Sequence, residues 1–321
     1  MRRRRSTLLV RALVLSGGGG RGAYELGVYK AFVERHRTFD VMSGTSVGAI
    51  TAAAIASGCS VPELEALWGR MHNFHVMQPR GDVWKLPSWT HLMYTKPLLE
   101  FIEREIDFDA VRASPIELRV SAVDVGTGDI RVFTNMELTP KRLLASASIP
   151  ILFPMVEDEG RHYWDGGTVV NTPLRPAIEA GAEEIVCVLL SPVGARELPP
   201  PRHLWDAIAR MTDLRLMGNL KEDVKHAEFI NSLVDAGTAD PTWHHIDFHI
   251  VSPRETLGLT TILNFDARTA KRLIDLGYAD GLAYLDGDRN EHRVEVRARE
   301  ELAEGEAREA RFWQEIPGTD F

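Results

Sequence analysis

Residues 11–32 read RALVLSGGGGRGAYELGVYKAF, and the predicted fold follows from this stretch. Residues 11–16 are mostly apolar and end at a run of glycines, which predicts a short strand closed by a turn. Beyond the turn, apolar side chains such as Tyr24 and Val28 recur four residues apart within 22–35. This spacing predicts a helix that other elements cover on more than one side.

A second strand, turn and helix follow directly. The sequence predicts a strand over 39–43 and a helix of small residues over 47–57. Two such units in succession are typical of an α/β fold with a mostly parallel central sheet flanked by helices. Further elements are predicted downstream: a hairpin over 115–134, a buried strand over 184–190, a helix over 203–220 and a helix that starts after Asp266.

The composition is that of a globular protein. Of the 321 residues, 44% are hydrophobic and 26% are charged. The formal net charge of −9 argues against a nucleic-acid partner, because such binders present a basic surface. The two cysteines, Cys59 and Cys187, are too few for a disulfide framework or a cysteine-rich metal site. We expect a cytoplasmic protein with neither a bound metal nor a cofactor.

One uncharged segment needs an explanation, since residues 41–62 are long enough to span a membrane. Nine of these 22 residues are Ser, Thr or Gly, which indicates a tightly packed interior segment instead. The start of the chain is basic like that of a signal peptide, but Arg11 interrupts the apolar run. We expect a basic tail over 1–10, one domain over 11–288 and a charged helical extension over 289–321.

The glycine run lies between the first strand and its helix. It consists of Gly17, Gly18, Gly19, Gly20, Arg21 and Gly22. Glycines let backbone amides point into open space, and a helix N-terminus beside them favours negative charge. The run therefore predicts a site for a transient oxyanion. A nucleotide-phosphate site and a purely structural turn remain as alternatives, although the run lacks the ending of a P-loop.

The second turn contains Gly44, Thr45, Ser46, Val47 and Gly48, a G-x-S-x-G pattern between a strand and a helix. In that context the serine sits on a sharp turn, with its hydroxyl held clear of the backbone at the start of the helix. Ser46 is therefore the candidate nucleophile. A tight structural turn is the alternative.

A third candidate is Asp165, which precedes Gly166 and Gly167. A carboxylate on such a turn can project into a cleft, although a simple Asp-Gly turn explains the same residues. Together the three turns supply a nucleophile, a base and an oxyanion site, as a serine hydrolase requires. A Ser-His-Asp triad also stays open, because six histidines follow Asp165: His203, His226, His244, His245, His249 and His292.

The sequence resembles the patatin-like phospholipases, a family of lipid acyl hydrolases. The matching stretches are GGGGRGAYELGVYKAF at 17–32, SGTSVGAI at 43–50, VDVGTGD at 123–129, ASASIPILFP at 145–154 and DGGTVVNTP at 165–173. The resemblance is close over most of the chain's first 190 residues and looser beyond them.

This resemblance implies a three-layer fold and a catalytic dyad without a histidine. Ser46 would be the nucleophile that forms an acyl-enzyme, and Asp165 would be its base. The oxyanion would bind to the amides of Gly18 and Gly19, assisted by Gly17 or Gly20, with Arg21 bracing the loop. The implied substrate is a phospholipid or a related acyl ester.

Residues 68–101 are rich in large apolar side chains and form a candidate cap. The set comprises Trp68, Trp84, Trp89, Leu92, Met93 and Tyr94. They could contact an acyl chain or the surface of a membrane, or they could simply cover the core. Two other functions stay open, namely an esterase with a histidine triad and a non-catalytic protein that binds an anionic lipid. The sequence leaves the oligomeric state open.

Overall fold

The computed structural model describes residues 9–81, 89–192, 200–201, 220, 223–239, 243–255, 257 and 260–288. The strands are β1 (Arg11–Leu15), β2 (Val41–Thr45), β3 (Gln78–Pro79), β4 (Met93–Tyr94), β5 (Glu117–Asp124), β6 (Ile130–Thr134), β7 (Val156–Asp158), β8 (Arg161–Asp165), β9 (Glu184–Val188) and β10 (Asp247–Val251). The helices are α1 (Ala23–Glu34), α2 (Val47–Ala56), α3 (Val61–Arg70), α4 (Asn73–Val76), α5 (Lys96–Glu105), α6 (Phe108–Ala113), α7 (Pro140–Ser146), α8 (Leu174–Glu179), α9 (223–235) and α10 (Ala267–Leu285).

Eight strands form the central sheet, in the pairing order β10-β9-β1-β2-β5-β8-β7 with β6 also paired to β5. Strands β10, β9, β1, β2 and β5 are parallel, whereas β6, β7 and β8 pair antiparallel with their neighbours. The predicted α/β class with a mostly parallel sheet is therefore confirmed.

The sheet separates two hydrophobic cores. Alternating side chains of β1 point to opposite faces, so Leu13 and Leu15 pack with α1 and α2, whereas Ala12 and Val14 pack with α8 and α9. Helices cover both faces, and the three-layer arrangement is confirmed.

Helices α1 and α10 approach each other closely because each presents a glycine to the other. A Cβ atom on Gly277 would lie 2.0 Å from the carbonyl oxygen of Tyr24. On the facing helix, a Cβ atom on Gly27 would lie 2.1 Å from the carbonyl oxygen of Ile274. Any larger residue at either position would push the helices apart.

The local elements agree with the sequence. The uncharged segment 41–62 forms β2, the Ser46 turn, the buried helix α2 and the start of α3. None of the described helices has the length and apolar composition needed to cross a bilayer. Asp266 caps α10 by accepting the amides of Arg268 and Thr269. Residues 115–134 form the predicted hairpin of β5 and β6. Most of the predicted tail (1–10), the extension (289–321) and the helix over 203–220 lie outside the described residues.

Candidate active site

Ser46 lies on a sharp turn between β2 and α2. Its φ of 57° and ψ of −126° are strained values for a residue other than glycine. A Cβ atom on Gly44 would lie 2.6 Å from the carbonyl oxygen of Gly48, and one on Gly48 would lie 2.5 Å from that of Leu15. Both flanking glycines are therefore required by close backbone packing. The positive end of the α2 dipole lies at Ser46 and favours negative charge there.

Strand β5 brings the carboxyl ends of β2 and β8 together. Residues 119–123 of β5 pair with β6 on one edge, so β2 and β8 share the other edge. On that edge Thr45 pairs with Ser121, and Asp165 pairs with the next residue, Ala122. The two strands run towards each other along β5. Ser46, which follows Thr45, and Asp165 therefore lie at the same junction.

The Asp165 carboxylate is held in place by its own turn. It is only 4% exposed, and Oδ1 accepts the Gly167 amide at 2.7 Å. A Cβ atom on Gly166 would lie 2.6 Å from the carbonyl oxygen of Ser121, and one on Gly167 would lie 3.0 Å from Asp165 Oδ1. The two glycines let this turn pack directly against β5 while leaving room for the carboxylate.

Two serines at the end of α7 tie the junction together. The Ser46 amide donates to Ser146 Oγ at 3.0 Å, and that hydroxyl donates to the carbonyl oxygen of Ser121 at 2.7 Å. The Asp165 amide donates to the carbonyl oxygen of Ser148 at 2.9 Å. Both serines belong to the stretch at 145–154, but their roles could not be inferred from the sequence because their partners lie far along the chain.

Asn171 holds the start of the glycine loop. The Gly17 amide donates to the carbonyl oxygen of Asn171 at 3.1 Å, and Asn171 Nδ2 donates back to the carbonyl oxygen of Gly17 at 3.0 Å. A Cβ atom on Gly17 would lie 2.5 Å from Asn171 Oδ1 and 3.1 Å from Ser46 Cβ. The loop is thus fixed directly beside Ser46 by a residue that sequence reasoning missed.

The predicted oxyanion donors divide into two groups. The Gly17 amide donates to Asn171, and the Arg21 amide donates to the carbonyl oxygen of Gly18 at 3.2 Å. Within the described ranges, the amides of Gly18, Gly19 and Gly20 have no backbone acceptor. Gly19 also lines the same cavity as Ser46. The amides of Gly18, Gly19 and Gly20 therefore remain the candidate donors, whereas Gly17 and Arg21 hold the loop in shape.

A 3-10 turn at Thr260–Leu263 packs over the glycine loop. A Cβ atom on Gly19 would lie 2.1 Å from the carbonyl oxygen of Ile262, and one on Gly20 would lie 2.4 Å from that of Asn264. The buried Arg21 donates from Nε to Thr261 Oγ1 at 3.3 Å. Gly22 makes room for Val47 at the start of α2 in the same way. Most of the glycine run is therefore explained by close packing.

An open cavity begins at Ser46 and Gly19. Its walls are almost entirely apolar, with Thr51 the main polar exception among the described lining residues. The candidate cap contributes Trp68, Met71, Val76, Met77, Leu98 and Phe101, and the C-terminal part contributes Ile262, Leu263 and Phe265. Trp68 and Phe265 stack with ring centroids 6.4 Å apart. Trp84 lies outside the described residues.

The histidines lie elsewhere, as far as the structure describes them. His249 is buried in the middle of β10, where Nε2 lies 3.0 Å from Asp247 and 3.9 Å from Glu184. Glu184 also pairs with Arg11 and Arg37, which makes the cluster an ion-pair network. No histidine lines the cavity within the described ranges, and His203 and His292 fall outside them.

A family model described as patatin-like phospholipase matches residues 13–178, which is more than half of the chain. The chain therefore belongs to the patatin-like phospholipase family, and the resemblance seen in the sequence is confirmed.

Relatives of known name share about a quarter of their aligned residues with this chain. "Lysophospholipase NTE1" of Mycosarcoma maydis is 28% identical over 207 residues, which are 61% of this chain and 10% of that protein. The protein of the same name in Saccharomyces cerevisiae is 26% identical over 202 residues, 61% of this chain and 11% of its own. The chain thus spans about a tenth of the length of these fungal relatives.

One solved structure extends the comparison. VipD from Legionella pneumophila covers 87% of this chain and 67% of its own, at 15% identity and a TM-score of 0.46.

Proposed function

We propose that this chain is a serine acyl hydrolase that cleaves the ester bonds of phospholipids or related lipids. The observation that carries the proposal is the position of Ser46, which lies at the junction with Asp165 and at the wall of an apolar cavity. An acyl chain in that cavity would bring its ester carbonyl to the serine. Membership of the family supports the same reaction.

In the proposed reaction, Ser46 Oγ attacks the ester carbonyl while Asp165 accepts the hydroxyl proton. The tetrahedral intermediate expels the alcohol, which takes this proton from Asp165, and an acyl-enzyme on Ser46 remains. Water then attacks the acyl-enzyme, again with Asp165 as the base. Collapse of the second intermediate returns the proton to Ser46 and releases the fatty acid.

The negative charge of each intermediate would be stabilised by the amides of Gly18 and Gly19. These donors need no reorganisation, because Asn171 and the Thr260–Leu263 turn already hold the loop. Removing one oxyanion donor from a serine hydrolase typically costs about 3–4 kcal/mol in the transition state. Losing either donor is therefore expected to slow hydrolysis by a factor of about 10²–10³.

A lipid with a single acyl chain is the first substrate to test, because the fungal relatives are named lysophospholipases. Such a substrate has one acyl chain to place, and an apolar cavity begins at Ser46. A panel of lysophospholipids and diacyl phospholipids, with released fatty acids identified by mass spectrometry, distinguishes the two classes.

The dyad is tested with Ser46→Ala and Asp165→Asn. Each variant is expected to lower kcat for a soluble nitrophenyl ester by roughly 10⁴-fold or more. Ser57→Ala is the matched control, because Ser57 lies at the other end of α2 and its hydroxyl contacts only its near neighbours, the carbonyl oxygen of Ala54 and the sulfur of Cys59. A fluorophosphonate probe should label the wild type and the control at Ser46.

Three outcomes would contradict this mechanism. Full activity in Ser46→Ala or in Asp165→Asn would exclude the dyad. Loss of activity on replacing one of the histidines that follow Asp165 would favour a triad. Absence of probe labelling in folded protein would favour a non-catalytic lipid-binding role.

A further inference from the structure

Ile151 combines two features that are unfavourable for a side chain with no role. Its φ is 69°, a conformation that is costly for β-branched residues, and its apolar side chain is 72% exposed. A residue in such a conformation persists only where the surroundings or the function require it. Neither feature is explained by packing, since the side chain points mostly into solvent.

Ile151 lies on a loop that also forms part of the cavity wall. Ile149 and Phe153, two residues before and after it, line the cavity that begins at Ser46. The backbone carbonyl of Ile151 accepts the Leu92 amide at 2.9 Å, which fixes this loop against the hairpin of β3 and β4. The loop thus turns two side chains inwards and one outwards at the edge of the cavity.

Other apolar side chains on these two segments are exposed as well. We define the rim patch as Leu92, Tyr94, Ile151 and Met155, which are between 39% and 72% exposed. Beside it, the Arg80 guanidinium lies over the rings of Trp89 and Tyr94, at 4.5 Å and 5.5 Å from their centroids. An exposed apolar patch with tyrosine and tryptophan at its border is typical of side chains that enter the interface of a bilayer.

We propose that the rim patch docks this protein on a lipid surface, with Ile151 inserted among the acyl chains. The inference rests on the proposed function, because it identifies the surface from which the cavity would take its substrate. A lipid surface is favoured over a protein partner because the loop that carries Ile151 also forms part of the cavity wall. Ile149 and Phe153, on either side of Ile151, line the same apolar cavity as Ser46, so an acyl chain that leaves a bilayer beside Ile151 would enter along an apolar wall. Because the net charge of −9 disfavours an anionic surface, we assign a zwitterionic one.

The test measures partition of the Ser46→Ala chain into phosphatidylcholine vesicles by flotation, so that no lipid is hydrolysed. Adding Ile151→Asp is expected to weaken partition by about tenfold or more, because an apolar group of this size no longer inserts. Met136→Asp is the matched control. Met136 is 73% exposed, but it follows the end of β6, which pairs with the start of β5 and so lies far from Ser46 along the sheet.

A second variant separates docking from folding. Ile151→Gly removes the strain, and we expect it to raise Tm by about 2–4 °C while still weakening partition. Equal partition of the Ile151→Asp and Met136→Asp chains would overturn the proposal. The proposal would also be overturned if the parent Ser46→Ala chain did not bind the vesicles and instead formed a dimer through Ile151, as measured by analytical ultracentrifugation. The proposed function is tested separately, by measuring whether the wild type hydrolyses the soluble ester.

Discussion

Glu25 offers a quantitative test of the packing beneath the glycine loop. It lies in the first turn of α1 and is completely buried, and neither carboxylate oxygen has a hydrogen-bond partner among the described residues. Burial raises the pKa of Glu25 well above its usual 4.5, and the nearby Ser16 backbone opposes this shift only in part. We therefore expect Glu25 to keep its proton in the folded protein at pH values at which the unfolded chain has already lost it.

The sign of the pH effect follows from proton binding. In the unfolded chain Glu25 ionises with its usual pKa of 4.5, whereas the folded chain keeps the proton to a higher pH. Between these two pKa values the folded state holds one proton more, so the free energy of unfolding falls as the pH rises. The loss for one group is about 1.4 kcal/mol per pH unit. Stability from this group is complete below the unfolded pKa.

The perturbation is Glu25→Gln, which keeps the shape and removes the titration. Its free energy of unfolding should match the wild type near pH 4 and exceed it increasingly above, by about 1.4 kcal/mol per pH unit until the folded pKa is reached. Urea denaturation at several pH values measures the difference, in which other titrating groups cancel. Glu103→Gln, on the exposed side of α5, should run parallel to the wild type. Parallel curves for Glu25→Gln as well would refute the reasoning.

Three further predictions concern strain and close packing. Gly277→Ala should destabilise the protein by roughly 1–3 kcal/mol, because the new Cβ meets the Tyr24 carbonyl. In Gly69→Ala, the control in α3, the new Cβ meets no atom within 4 Å, and the protein should be stabilised by about 0.5–1 kcal/mol. Thermal unfolding of the two variants measures the difference. Asn171→Ala removes the Nδ2 bond to the Gly17 carbonyl and should lower kcat for the soluble ester about tenfold or more by loosening the glycine loop. Asn231→Ala, which removes two side-chain bonds to the backbone of Ile246, is the control, and equal rates in the two variants would count against that role. Ser46→Gly should abolish activity yet raise the free energy of unfolding by about 1 kcal/mol, because glycine accepts φ of 57° without strain; an unchanged or lowered value in urea denaturation would argue that the turn is unstrained.

The sequence alone determined the local structure around the candidate site. The strand, glycine run and helix at 11–32, and the serine turn at 43–50, follow from apolar periodicity and from glycines that allow sharp turns. These signals act between residues that are close in sequence, and they were sufficient to identify Ser46 and Asp165 as candidates. The N-cap at Asp266 was readable for the same reason.

Tertiary structure decided which of these groups meet. Only the register of β5 with both β2 and β8 brings Asp165 to Ser46, since 119 residues separate them along the chain. The same holds for the contact of Asn171 with Gly17 and for the Thr260–Leu263 turn, which packs over the glycine loop. Such contacts depend on sheet order and on the packing of distant segments, and neither leaves a periodic pattern in the sequence.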